Sequence, residues 1–169
     1  RDIFLERRLS GRADAVLTVS NSIAEQLAVK LGTEANVIRN TFPSSQLSLP
    51  DEVSYLAYAG NISDGRDLIT VFQGARLAEV DLRFKGRVLV DIPELDDANI
   101  EEAGSVEEAG EFLARGGIAV VSLEDSGDNH RFALPNKLFH AVSVGIPVVA
   151  AKRPEIEKVV NEYGLGRLY

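Results

Sequence analysis

Cysteine and methionine are absent from the 169 residues, and histidine occurs twice. No run approaches the roughly twenty apolar residues of a membrane-spanning helix. Without cysteine there is neither a disulfide framework nor a thiolate metal site. Only His130 and His140 can offer imidazole ligands, and no HxxxH or HExxH spacing joins them in a metal motif. The opening stretch RDIFLERRLSGRADA has neither a hydrophobic signal core nor a small-residue cleavage pattern. A soluble, untargeted segment is therefore expected, and the missing cysteine fits a cytoplasmic setting. No methionine stands even at position 1, so the chain reads as a piece excised from something longer. Basic residues are outnumbered, 18 Lys and Arg against 26 Asp and Glu, for a net charge of -8. That balance argues against general nucleic-acid binding, which rests on neutralising phosphates with clustered cations, but it leaves room for a local anion site.

What is present is apolar and periodic. Hydrophobic residues make up 45% of the chain, enough for one full core or for one domain with part of another. AVLTV at 15–19 reads as a strand ending in a turn. Ser22 and Glu25 then have capping-box spacing, Ile23, Leu27 and Leu31 recur every four residues, and Gly32 closes the helix. A short strand follows at 36–38. The stretch RNTFPSSQLSLPDE after it, rich in proline and serine and without helical period, reads as a linker.

The next unit opens with strand VSYLAYAG at 53–60 and a helix from Asp67 to Leu77, with Leu68, Phe72 and Ala75 on one face. A strand is predicted at 86–90, GRVLV. Ser105 and Glu108 form a second capping box before a helix carrying Phe112 and Leu113. Strand 117–123, a helix over 135–144 closed by Gly145, strand 146–150 and a helix from Pro154 to Gly164 complete the series. Strands without clean alternation, separated by helices of this length, predict a doubly wound α/β parallel sheet buried on both faces. Ligands in such sheets bind beyond the carboxyl ends of the strands. The loops to inspect are therefore 60–66, 91–104, 123–136 and 151–154.

In GNISDGR, at 60–66, Gly60 and Gly65 allow close backbone approach, and Arg66 stands just before a helix start, where an anion is already favoured. The same sequence also fits an ordinary turn with a solvated Arg, because it matches neither the three-glycine dinucleotide pattern nor a Walker loop. Loop 123–136 is long for a connection of its kind and delivers Asn136 and Lys137 to the first turn of a helix. A cation at that end is misplaced unless an anion joins it; the alternative is a surface lysine whose stem covers apolar neighbours. His140 lies one turn further, beside Leu138, Phe139 and Val142, where a hydrogen-bonded core histidine is the plainer reading. His130 is expected on the loop surface. The acidic stretches DIPELDD and IEEAGSVEE read as solvated faces, with Glu107 and Glu108 in a helix first turn.

Taken in order, ADAVLTVSNSIAEQL, VIRNTFP, YLAYAGNISDGRDLITVFQGA, IEEAGSVEEAGEFLARGGIAVV and LPNKLFHAVSVGIPVVAAKRPEIEKVVNEYGLG resemble the latter part of a glycosyltransferase of family 4 from about Ala13 onward. The strongest part is PNKLFHAVSVGIPVVA, which is similar to the family's PNKLFEYMAAGLPVV signature. The resemblance implies a GT-B architecture, two Rossmann-like domains facing across a cleft. It makes residues 1–40 the last strand and helix of a truncated acceptor-side domain, 41–52 the interdomain linker and 53–169 the nucleotide-sugar-binding domain.

It also implies a diphosphate held by Gly60, Asn61, Arg66, Asn136 and Lys137, a ribose beside His140, and a sugar-facing loop at Glu124, Asp125, Leu134 and Pro135. Arg66 stands where the family has Lys, Asn61 where it has Arg, and Phe132 and His140 where it has paired glutamates. An imidazole can hydrogen-bond a hydroxyl but cannot accept two as a carboxylate does. The implied activity is retaining, metal-independent transfer from a nucleoside-diphosphate sugar, UDP- or GDP-linked, to a saccharide, lipid-linked or small-molecule acceptor. No cofactor, metal or nucleic acid is implied, and membrane contact would be peripheral, through the missing N-terminal part. The isolated segment should show little transfer alone. Two rivals share the scaffold: a sugar-nucleotide epimerase, which PNKL argues against, and a non-catalytic domain acting in binding or assembly.

Overall fold

Two parallel sheets follow one another along the chain in the computed structural model, which describes residues 3–169. Of the segment 1–40, the first two residues thus lie outside the described ones. The first sheet pairs β1 (Val16–Thr18) with β2 (Ala35–Val37), flanked by α1 (Ile3–Ser10) and α2 (Asn21–Leu31). The second contains β3 (Tyr55–Ala59), β4 (Leu82–Lys85), β5 (Asn99–Glu101), β6 (Gly117–Val121), β7 (Val148–Ala150) and β8 (Gly166–Leu168). Its helices are α3 (Leu68–Leu77), α4 (Val106–Gly116), α5 (Asp128–Arg131), α6 (Asn136–Val144) and α7 (Pro154–Tyr163). The strand order is β5-β4-β3-β6-β7-β8, every neighbouring pair parallel. The order reverses direction between β3 and β6, which opens a crevice beyond their carboxyl ends.

The central strands β3, β6 and β7 are covered on both faces, which is why they read as continuous apolar runs. In β6, Ala119 and Val121 join Phe112, Leu138 and Ile156 on one side, while Val120 joins Tyr58, Phe72 and Phe84 on the other. The Ser105–Glu108 capping box forms at α4, with both reciprocal bonds made, at 2.6 and 3.1 Å.

The structure corrects the sequence reading in several places. The strand predicted at 86–90 lies earlier, at Leu82–Lys85, and 86–90 keeps only an isolated bridge between Ile62 and Val88. Leu82 and Phe84 are buried, whereas Val88 and Leu89 are more than half exposed. Arg83 and Lys85 disguise the true strand as polar, and they are accommodated because Arg83 pairs with Asp81 at 2.7 Å and Lys85 with Glu101 at 3.5 Å. The capping box at Ser22 and Glu25 does not form. Ser20 caps α2 by accepting from the Ile23 amide at 3.3 Å, so Ser22 lies inside the helix. Helices α1 and α5 and strands β5 and β8 are additional to the predicted elements.

Ser22 has a different use. Its hydroxyl donates to Glu155 Oε1 at 2.5 Å across the two units, and Lys158 Nζ lies 2.8 Å from the same oxygen. Glu155 is only 2% exposed. Burial alone would raise its carboxyl pKa, but hydrogen bonds from Lys158 and Ser22 outweigh burial and hold it below 4.5. A carboxylate depressed in the fold contributes stability that is present above its unfolded pKa and is lost as pH falls through the folded value. Ser22→Ala is expected to cost about 1–3 kcal/mol in urea unfolding at pH 7. It should also move the acid unfolding transition to higher pH; an unchanged acid limb would show that the contact contributes nothing.

Candidate functional site

The site begins at the end of β3. Tyr58, fully buried, donates its hydroxyl to the Asn61 carbonyl at 2.8 Å and so turns the chain after Ala59 back over the sheet. Gly60 follows with φ 146°, and a Cβ placed there would lie 2.6 Å from Lys137 Cε. Only glycine lets the lysine stem cross the loop. Gly65, at φ 76°, is pressed in the same way by His130, whose Cε1 would meet a Cβ at 2.6 Å. The expected surface histidine is thus half-buried, with Nδ1 2.6 Å from Ser126 Oγ, and the Glu124 amide donates to the Gly65 carbonyl at 3.1 Å. Loop 123–136 therefore braces loop 60–66.

From the other side comes α6. Pro135 enters it with ψ 145° and offers no capping side chain, so the first-turn N–H groups have no side-chain acceptor. These elements enclose a cavity of about 480 Å³ at the β3/β6 crevice. It brings together Gly60, Asn61, Arg66, Leu134, Pro135, Asn136, Lys137 and His140. Glu124 and Asp125, assigned to the same site from the sequence, are exposed and do not line it. Ala59, Leu113, Ala119 and Val120 add an apolar wall.

Phe42 also lines the cavity, although from the sequence it reads only as part of the linker. An aromatic ring within a stretch of serine and proline was the one available signal. The linker is not free: the Ser45 amide donates to the Ser143 carbonyl at 2.8 Å, and Leu47 packs on the core.

Positive charge gathers here without an acidic counterpart. Among the described residues no ion pair involves Arg66 or Lys137, and Arg66 Nε is buried with no hydrogen-bond partner. The Lys137 ammonium lies 4.8 Å from the centre of the Tyr58 ring. Its pKa falls from 10.5 to about 8, first because burial removes its water and second because Arg66 repels it. Burial raises the Tyr58 hydroxyl above its ordinary 10.0, with Arg66 acting in the opposite sense. His140 stacks on Phe42, ring centres 4.7 Å apart and planes 6° apart. Burial lowers its pKa below 6.5 against a backbone hydrogen bond with Val106, so the ring is neutral at neutral pH.

The arrangement can hold a compact anion. It offers two unpaired cations and the open end of a helix in a partly dry crevice. Among the described residues no group of three or more His, Cys, Asp or Glu forms a metal-ligating cluster, and no helix is long and apolar enough to cross a membrane.

No family profile and no curated protein sequence matches the chain. Solved structures do. AviGT4, a glycosyltransferase involved in avilamycin A biosynthesis, superimposes with a TM-score of 0.61 at 14% identity, over 90% of this chain and 49% of its own. At that identity the likeness establishes the fold, a Rossmann-like parallel sheet flanked by helices, and the chain spans about half the length of that protein.

Proposed function

We propose that the chain supplies the nucleotide-sugar-binding part of a glycosyltransferase of family 4 type, with GT-B architecture. In this reading residues 53–169 hold the donor, 41–52 cross between domains and 1–40 end the acceptor-side domain. The donor's diphosphate seats between Arg66, Lys137 and the N-terminus of α6. As the bond from the anomeric carbon to the phosphate oxygen breaks, the nucleoside diphosphate departs with the electron pair, and these groups stabilise the charge it gains. The acceptor hydroxyl forms the new glycosidic bond, with retention and without a metal ion. The observation that carries the reading is the convergence of two cations lacking carboxylate partners on an uncapped helix end at the sheet's crevice.

A second reading, a domain that keeps the fold and serves binding or assembly without catalysis, draws on one observation. The ring of His140 is engaged by Phe42 and Val106, and Asn61 replaces a cation. Calorimetry separates the two. Micromolar binding of UDP or GDP, weakened about tenfold or more in Arg66→Ala as expected for a lost charge-assisted contact, supports the donor site. Millimolar or weaker binding of UDP, GDP and inorganic pyrophosphate alike supports the second.

A further inference from the structure

The cavity has a second compartment behind it. Beyond the Phe42 ring lies a mostly apolar space of about 340 Å³, lined by Pro43, Leu47, Val106 and Val144 and also by the carboxylates Glu107 and Glu111. Phe42 and His140 belong to both spaces, so their stacked rings form the partition between them. All the cations of the site lie on one side of it. A ligand whose phosphates sit at Lys137 and Arg66 can place a flat, apolar portion in that rear space only by displacing the Phe42 ring.

We infer that Phe42 is a specificity-determining plug: it keeps a ligand's flat, apolar portion out of the rear compartment, so that affinity at the crevice comes mainly from the diphosphate. The inference rests on the donor-site reading and sharpens it. Phe42 comes from the connection between the two sheets, whereas His140 belongs to the large sheet's own α6. The plug therefore answers to how that connection lies. Its withdrawal opens the apolar compartment and exposes a face of His140, on which a base can stack in place of the phenyl ring.

The test uses calorimetry with three probes, inorganic pyrophosphate, UDP and GDP, on the unaltered chain, Phe42→Ala and Lys137→Met. The unaltered chain should bind pyrophosphate at least as tightly as either nucleotide. Phe42→Ala should keep its pyrophosphate affinity within about twofold and bind UDP or GDP at least about tenfold more tightly, the scale of one base–aromatic stack. Phe42→Leu, which keeps an apolar side chain, should move the same way by a smaller factor and serves if the alanine variant does not fold. Nucleotide binding about tenfold tighter than pyrophosphate in the unaltered chain overturns the inference and leaves the donor site standing. So does unchanged or weaker nucleotide binding in both Phe42 variants. Absence of binding by all three probes, with Lys137→Met no different, overturns the donor-site reading and the plug with it.

Discussion

Lys137→Met is expected to lower affinity for pyrophosphate, UDP and GDP by at least about a hundredfold and, at the same time, to make the protein more stable. Both effects come from the same desolvated ammonium. Its charge sits close to Arg66 and over the Tyr58 ring, with no carboxylate partner among the described residues. A bound diphosphate restores the missing counter-charge, and in a partly dry crevice the contact reaches the upper end of what charge-assisted hydrogen bonds contribute.

In the empty protein the same charge opposes folding. A fall from 10.5 to about 8 corresponds to a penalty on the order of 3 kcal/mol at neutral pH. Loss of the cation–π contact with Tyr58 offsets about 1 kcal/mol of it, so a gain of about 1–2 kcal/mol, or a few degrees in Tm, should remain. Methionine keeps the apolar stem that crosses Gly60. A variant that is less stable and binds as before would make Lys137 a packing lysine and remove the anion site.

Most of the scaffold was legible because it depends on local rules. Gly32, Gly145 and Gly164 all close helices in the left-handed conformation, and the Ser105–Glu108 pair caps α4 as its spacing predicts. Misreadings arose where tertiary contacts override the local pattern. Strand β4 alternates buried and charged residues, and only its position beside β3 and β5, with Asp81 and Glu101 within reach, makes LRFK a strand. Ser22 has the spacing of a cap, yet Ser20 takes that place and binds the Phe132 carbonyl at 2.8 Å as well. That partner lies too far along the chain for any sequence window to reveal.

The site divides in the same way. Arg66, Lys137 and Gly60 announced themselves through position at loop and helix ends, because close approach and helix electrostatics have sequence signatures. Phe42 did not, because its role is set by a stack with His140 from a distant helix. Glu124 and Asp125 entered with the sugar-facing loop that the family resemblance implies, and both are exposed.

The second large effect is on pH. Diphosphate affinity should be level from about pH 7 to 8 and then fall by about tenfold for each further pH unit. The sign follows from which state holds more protons. In the free protein Lys137 loses its proton near pH 8, since burial and Arg66 both disfavour the charge. In the complex the phosphates favour that charge and raise the pKa, so above pH 8 binding must take up a proton that the solution supplies less and less readily.

Few neighbours can confuse the profile. Burial holds the Tyr58 hydroxyl neutral beyond its ordinary 10.0 and keeps His140 neutral above 6.5. With a nucleoside diphosphate as the ligand, the last phosphate ionisation, at about pH 6, lies below the range measured. Calorimetry at pH 9 in two buffers of different ionisation enthalpy should count close to one proton taken up per ligand, and none in Lys137→Met. The unliganded protein should show the mirror image, gaining stability relative to that variant between pH 8 and 10.5 as its folded lysine sheds the charge that burial penalises. Equal slopes in both proteins would mean that the titrating group lies elsewhere, and the lysine would lose its place at the centre of the site.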